Sequence, residues 1–173
     1  MLRSLLIASW GMIGVAAFIL RALLTLTPIA LEPIQNGSLS SWHWVLLCAW
    51  VVFNVYAEGY RGFHRSFSPR VVGRAIEVGD SRSWLRVLFA APYCMGLFAA
   101  PRRILIRSWV LVFAIIGIVI FVRQLAQPWR GIIDAGVVVG LGTGLLSMLL
   151  LFVRALVAKA SGYDNARAES LSQ

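Results

Sequence analysis

A small number of residues in this 173-residue chain could do chemistry, and they fall in two places. The tract Glu58-Gly59-Tyr60-Arg61-Gly62-Phe63-His64-Arg65 mixes an acid, two bases and a histidine with flexible glycines. A carboxylate and an imidazole in reach of each other can share general acid–base work. The competing account is an ordinary i,i+3 ion pair between Glu58 and Arg61. Further along, Asp134 follows Arg130 by four positions at the start of an apolar run. An ionised side chain at membrane depth is costly and is a site candidate until paired. Arg21, His43, Arg123 and Arg130 are expected near Asp134, at the outer ends of their helices. Such a cluster would be a structural ion-pair network or a seat for a head group or small anion.

No other constellation emerges. Cys48 and Cys94 lack metal-ligand spacing and read as small hydrophobes. His43 and His64 fall on opposite sides of the expected membrane, which argues against a bis-histidine haem. Neither H-E-x-x-H, G-x-S-x-G, a phosphate loop nor a dinucleotide fingerprint occurs. Seven scattered acids do not suit a two-metal phosphotransferase. No catalytic residue, metal ligand or cofactor is therefore expected.

The elements that must position these residues are apolar. Hydrophobic residues make up 60% of the chain and charged ones 13%, and the apolar residues come in long blocks. A soluble domain carries about a quarter charged residues. The fold expected is an all-α integral membrane protein with four transmembrane helices, both termini cytoplasmic. Its single domain covers residues 1–160, with spans at about 5–27, 42–60, 107–123 and 132–153, and a polar tail at 161–173. The first block is too long for a signal peptide core and has no good cleavage site, so it reads as a retained helix. Glu32 to Ser38 reads as a turn. Trp42 and Trp44 begin the second span, and Tyr56 and Tyr60 end it, as an interfacial belt would.

Between the second and third spans, residues 66–100 read as interfacial or re-entrant. Ser68-Pro69 looks like a helix start, and Phe67, Val71, Val72, Ala75 and Ile76 recur on one face while Arg70 and Arg74 share another. That pattern suits a cytoplasmic amphipathic helix on the membrane surface. Leu85 to Ala100, broken by Pro92 and Gly96, is short for a span and reads as dipping in and returning.

Net charge is +9, which in this setting follows the positive-inside rule. Four spans place thirteen of the sixteen positive residues inside: Arg3, the nine from Arg61 to Arg107, then Arg154, Lys159 and Arg167. A fifth span would move Arg102, Arg103 and Arg107 outside. Anionic phospholipid is the expected ligand of this face, with Arg70, Arg74, Arg102 and Arg103 as head-group contacts. No nucleic-acid motif accompanies the charge. Gly136, Gly140 and Gly144 mark one face of the last helix for close backbone approach, by a helix of this chain, a second copy or another subunit.

The leading functional expectation is a non-catalytic accessory, assembly or scaffolding component in a bacterial inner membrane, partnered by another membrane protein or by itself. Two alternatives stay open. One is a small oligomeric transporter or channel, since interrupted helices line transport sites. The other is a lipid-modifying enzyme with a cytoplasmic interface site at Glu58, Tyr60, Arg61, His64 and Arg65.

Overall fold

The computed structural model describes the backbone of residues 2–81 and 83–171 and the side chains of 3–81 and 83–162. The expectations for Arg82 and Arg167, and for the side chains of the tail beyond Gly162, lie outside the described residues. The described chain is helical without a strand. Three helices are long and apolar enough to cross a membrane: Arg3–Gln35, Arg102–Val122 and Trp129–Gly162. The elements are α1 (Leu2–Gln35), α2 (Ser41–Asn54), a π-helical segment (Val55–Phe67), α3 (Ser68–Asp80), α4 (Trp84–Leu88), α5 (Ala90–Cys94), α6 (Arg102–Val122) and α7 (Trp129–Leu171).

α1 does not stop near residue 27. It runs through Pro28 and Pro33 to Gln35. A proline inside a helix leaves the carbonyl four residues back without its donor. For Pro33 that carbonyl belongs to Ile29, and Gln127 Nε2 donates to it at 3.4 Å. The same amide donates to Glu32 Oε2 at 2.8 Å, and Gln127 Oε1 accepts the Gly131 N–H at 3.0 Å. Gly131 has no Cβ because the Pro33 ring occupies that space. One glutamine thus ties the upper end of α1 to the start of α7.

The helix that begins at Ser41 is also longer than expected. α2, the π segment and α3 follow one another without a break to Asp80. Ser68 is no N-cap: its backbone is already helical at φ −60°, and its hydroxyl is fully buried. The apolar face of α3 exists as the spacing predicts, but Val71, Val72, Ala75 and Val78 are buried inside the protein against α1, α5 and α7. α3 is therefore a bundle helix, with no free apolar face for the bilayer surface. At its end Gly79 lies against the Ser4 backbone, and no side chain would fit.

These contacts set the register of a three-stranded bundle of α1, the run Ser41–Asp80, and α7. Its upper end is Pro33 on Gly131; its lower end is Asp80 between Ser4 and Lys159. Ala8, Met12, Val15 and Ile19 of α1 meet Met148 and Phe152 of α7 in the lower half, where the buried core lies. The expected segment Leu85–Ala100 is neither a span nor one helix. It forms two five-residue helices, broken at Phe89, then a turn with Gly96 at φ 78° and Ala99 at φ 49°. Gly11 and Gly14 of α1 receive it: a Cβ on Gly11 would sit 3.1 Å from Cys94 Sγ, and one on Gly14 would sit 2.7 Å from Ala91 Cβ.

α6 stands apart. Its first turns touch the 95–98 turn, through Ser108 Oγ donating to Met95 O at 3.1 Å and Trp109 Nε1 donating to Leu97 O at 3.2 Å. No other described helix packs along its length, and nearly all its large apolar side chains are exposed.

Candidate functional site

The glycine face of α7 carries the polar seam of the bundle. Gly136 lies under Trp50 and Asn54, Gly140 under Glu58, and Gly144 under the Phe63 ring. All four neighbours belong to α2 and the π segment, so the face is closed by this chain's own second helical run. Close approach cuts both ways, since Gly59 of the π segment has Thr143 of α7 where a Cβ would be. Wide π turns add a residue per turn and often sit at functional positions. Here the turns carry Glu58, Gly59 and Phe63 onto α7 in succession.

Reading down the seam, Trp50 Nε1 donates to Ile133 O at 3.2 Å, and Asn54 Nδ2 donates to Trp50 O at 2.8 Å. Glu58 Oε2 is buried with no hydrogen-bond partner among the described residues. Thr143 Oγ1 lies within bonding distance of Gly140 O, at 2.9 Å, and Val139 O, at 3.0 Å, which occupies its hydroxyl along its own helix. Below it, His64 Nδ1 and Ser147 Oγ are hydrogen-bonded at 2.6 Å.

The expected Glu58/His64 pairing is not formed. Glu58 meets α7 at Gly140 and His64 meets it at Ser147, seven residues lower, or about 10 Å at the helical rise. Nor does Glu58 pair with Arg61; among the described residues the ion pairs are Lys159–Asp80 and Arg130–Asp134. Tyr60, Arg61 and Arg65 point outward, with Tyr60 stacked on His64 and Arg65 over the Tyr60 ring at 5.6 Å. That tract is one stacked surface column and one half-buried acid, with no assembled acid–base dyad.

The upper cluster also divides. Asp134 is buried, and Arg130 Nε is 3.8 Å from its Oδ2, four residues back on the same helix. His43 serves its own helix start, accepting the Ser40 N–H at 3.2 Å, and packs edge-on against Trp129. Arg21 is exposed and lies twelve residues below Pro33, while Asp134 lies three below Gly131. With Pro33 and Gly131 level, the two are about 13 Å apart along the bundle. Arg21 cannot reach because α1 continues past residue 27. Arg123 is exposed at the end of α6 and meets no acid among the described residues.

The lower clamp was not expected. Asp80 accepts Lys159 Nζ at 2.7 and 2.8 Å and Ser4 Oγ at 2.9 Å, joining all three strands of the bundle. The hydrogen bonds from Lys159 and Ser4 hold its carboxyl below the usual aspartate range. A lone acid after Gly79 carries no sequence signal for this role.

The expected head-group arginines split as well. Arg70 and Arg74 line a cavity of about 240 Å³, while Arg102 and Arg103 are exposed at the first turn of α6. No three side chains of metal-ligating type cluster among the described residues. The chain matches no family model, no curated protein and no solved structure.

Proposed function

We propose that this membrane protein is a non-catalytic component of a larger membrane assembly, with α6 as its docking helix. The observation that supports the reading is the isolation of α6. Twenty-one residues, apolar without interruption from Trp109 to Val122, leave the bundle after Pro101, and no other described helix packs along them. Helix association in a bilayer depends on packing between close surfaces. The bundle proper is held by α1, α7 and the run Ser41–Asp80, so α6 is free for a partner without loss of the core. In this reading α2 with the π segment is the fourth span, both termini are cytoplasmic, and the arginine-rich lower end faces the cytoplasm of a bacterial inner membrane.

Site-specific photocrosslinking in intact membranes tests the proposal. Probes at Val110, Leu111, Phe113 and Ile115, which lie around the helix, should give protein adducts at some positions and not others, with helical periodicity. Lipid adducts alone at all four would sink it.

A second reading, a small oligomeric transporter, has one observation in its favour. Glu58 Oε2 and Asp134 Oδ2 are both buried without hydrogen-bond partners among the described residues, on neighbouring helices. Adducts between copies of this chain, with an ion flux lost in Glu58→Gln, would move the assignment there.

A further inference from the structure

The cavity between α3, the turn after α5 and the first turns of α6 has the chemistry of a phosphate site with an apolar floor. Arg70, Arg74 and Glu77 supply its charges; Phe67, Met95 and Ile104 supply much of the apolar lining. Glu77 is already engaged, its Oε1 accepting the Tyr93 hydroxyl at 2.7 Å. Arg74 is held in place: its Nη2 donates to Phe98 O at 3.2 Å and Ala99 O at 3.0 Å, and its guanidinium lies 4.0 Å above the Tyr93 ring centroid. Its Nε is buried and has no partner among the described residues. Arg70 donates Nε to Ser66 O at 2.8 Å, and no acceptor among the described residues meets its terminal nitrogens. Partial burial, and then the charge of Arg107, lower the pKa of the Arg70 guanidinium. Arg70 and Arg74 line the same cavity, so an anion there meets two guanidinium groups.

We propose that this cavity binds the phosphate of one anionic phospholipid molecule. Guanidinium groups match phosphate oxygens with paired, charge-assisted hydrogen bonds. Basic pockets between membrane helices are a recurrent seat for anionic head groups. The volume admits a head group and leaves no room for acyl chains. Those chains lie outside, along the exposed apolar length of α6 that begins at Ile106. A lipid is favoured over a soluble phosphate because Ile104 in the cavity lining belongs to α6, whose exposed apolar length continues from Ile106.

Native mass spectrometry of the full-length chain, released from nanodiscs of mixed phosphatidylglycerol and phosphatidylcholine, reads the site directly. One phosphatidylglycerol per chain should survive delipidation, and Arg70→Gln should weaken its retention about tenfold. Arg102→Gln with Arg103→Gln, outside the cavity, should change it less than twofold. Ile104→Trp, which fills the cavity and keeps every charge, should abolish retention, and it decides the matter if Arg70→Gln does not fold. Equal retention by wild type and Ile104→Trp would overturn the site. In a parallel arm, inorganic phosphate is added to the delipidated chain in neutral detergent. Protection against heating as strong as that from phosphatidylglycerol would overturn the lipid assignment, and weaker protection upholds it.

Discussion

Gly140 and Gly142 sit on the same helix, two residues apart, in opposite circumstances. A Cβ on Gly142 meets nothing within 4 Å. One on Gly140 would lie 2.7 Å from Glu58 Oε2, 3.2 Å from Glu58 Cβ and 3.3 Å from Asn54 O. The carboxylate can swing away, but the Asn54 carbonyl and the Glu58 Cβ move only with the backbone of the second helical run. Alanine in place of glycine inside a helix gains up to about 1 kcal/mol from propensity at either position. At Gly140 the added methyl opposes this by about 1–3 kcal/mol, the range for overpacking a tight contact. Gly142→Ala should therefore raise stability, and Gly140→Ala should fall below it by about 1–3 kcal/mol. At roughly 2–4 °C per kcal/mol for a chain of this size, the two variants should melt several degrees apart. Thermal unfolding of purified protein in one mild detergent, followed by tryptophan fluorescence, measures the gap. If Gly140→Ala melts at or above Gly142→Ala, the helices do not meet at this face, and the seam around Glu58 goes with it.

Two further outcomes follow from the ends of the bundle. Gln127→Ala should lower stability by about 1–3 kcal/mol, since it leaves the Ile29 carbonyl beside Pro33 and the Gly131 N–H without partners; a melting temperature unchanged within a degree would refute the clamp. Asp80 titrates below its ordinary range because Lys159 and Ser4 bond its ionised form, so its contribution is present above about pH 4 and lost as pH falls through the lowered value. Wild type should then lose more stability than Asp80→Asn between pH 6 and pH 3, by no more than about 1 kcal/mol for so exposed a pair; parallel pH profiles would refute it.

Long apolar blocks made the all-helical membrane class legible, because membrane helices announce themselves by length and composition. Helix ends were less so. Pro28 and Pro33 carry the local mark of a stop, yet α1 continues through both to Gln35, and at Pro33 a side chain ninety-eight positions from the freed carbonyl meets it. Misplacing that end put Arg21 at the wrong depth and created an ion-pair partner for Asp134 that the bundle does not provide. The apolar face of α3 was readable from its spacing, but its cover was not, since what buries Val71 and Val78 comes from other helices. Gly136, Gly140 and Gly144 were readable as one smooth helix face from their four-residue spacing alone. Naming Trp50, Asn54, Glu58 and Phe63 as the other side needs the register of two helices. Nothing in Val55–Phe67 marks π turns, because hydrogen-bond offset leaves no composition of its own. Arg70 and Arg74 were grouped by their four-residue step, but the cavity exists only because the turn at Gly96 folds back over them.

Since α1 packs along α7, a helix made earlier in this chain is closed by one made much later. Until Trp129 and its successors have been synthesised, Ala8, Met12, Val15 and Ile19 have no Met148 or Phe152 to rest on. A growing chain therefore carries α1 well before α7 exists to pack on it. Products truncated before α7 keep their spans but lose the surface that completes them, which gives membrane quality control a physical criterion for recognising them. The same closure divides the bundle into two complementary parts: residues 1–100 carry α1 and the run Ser41–Asp80, and α7 packs against both.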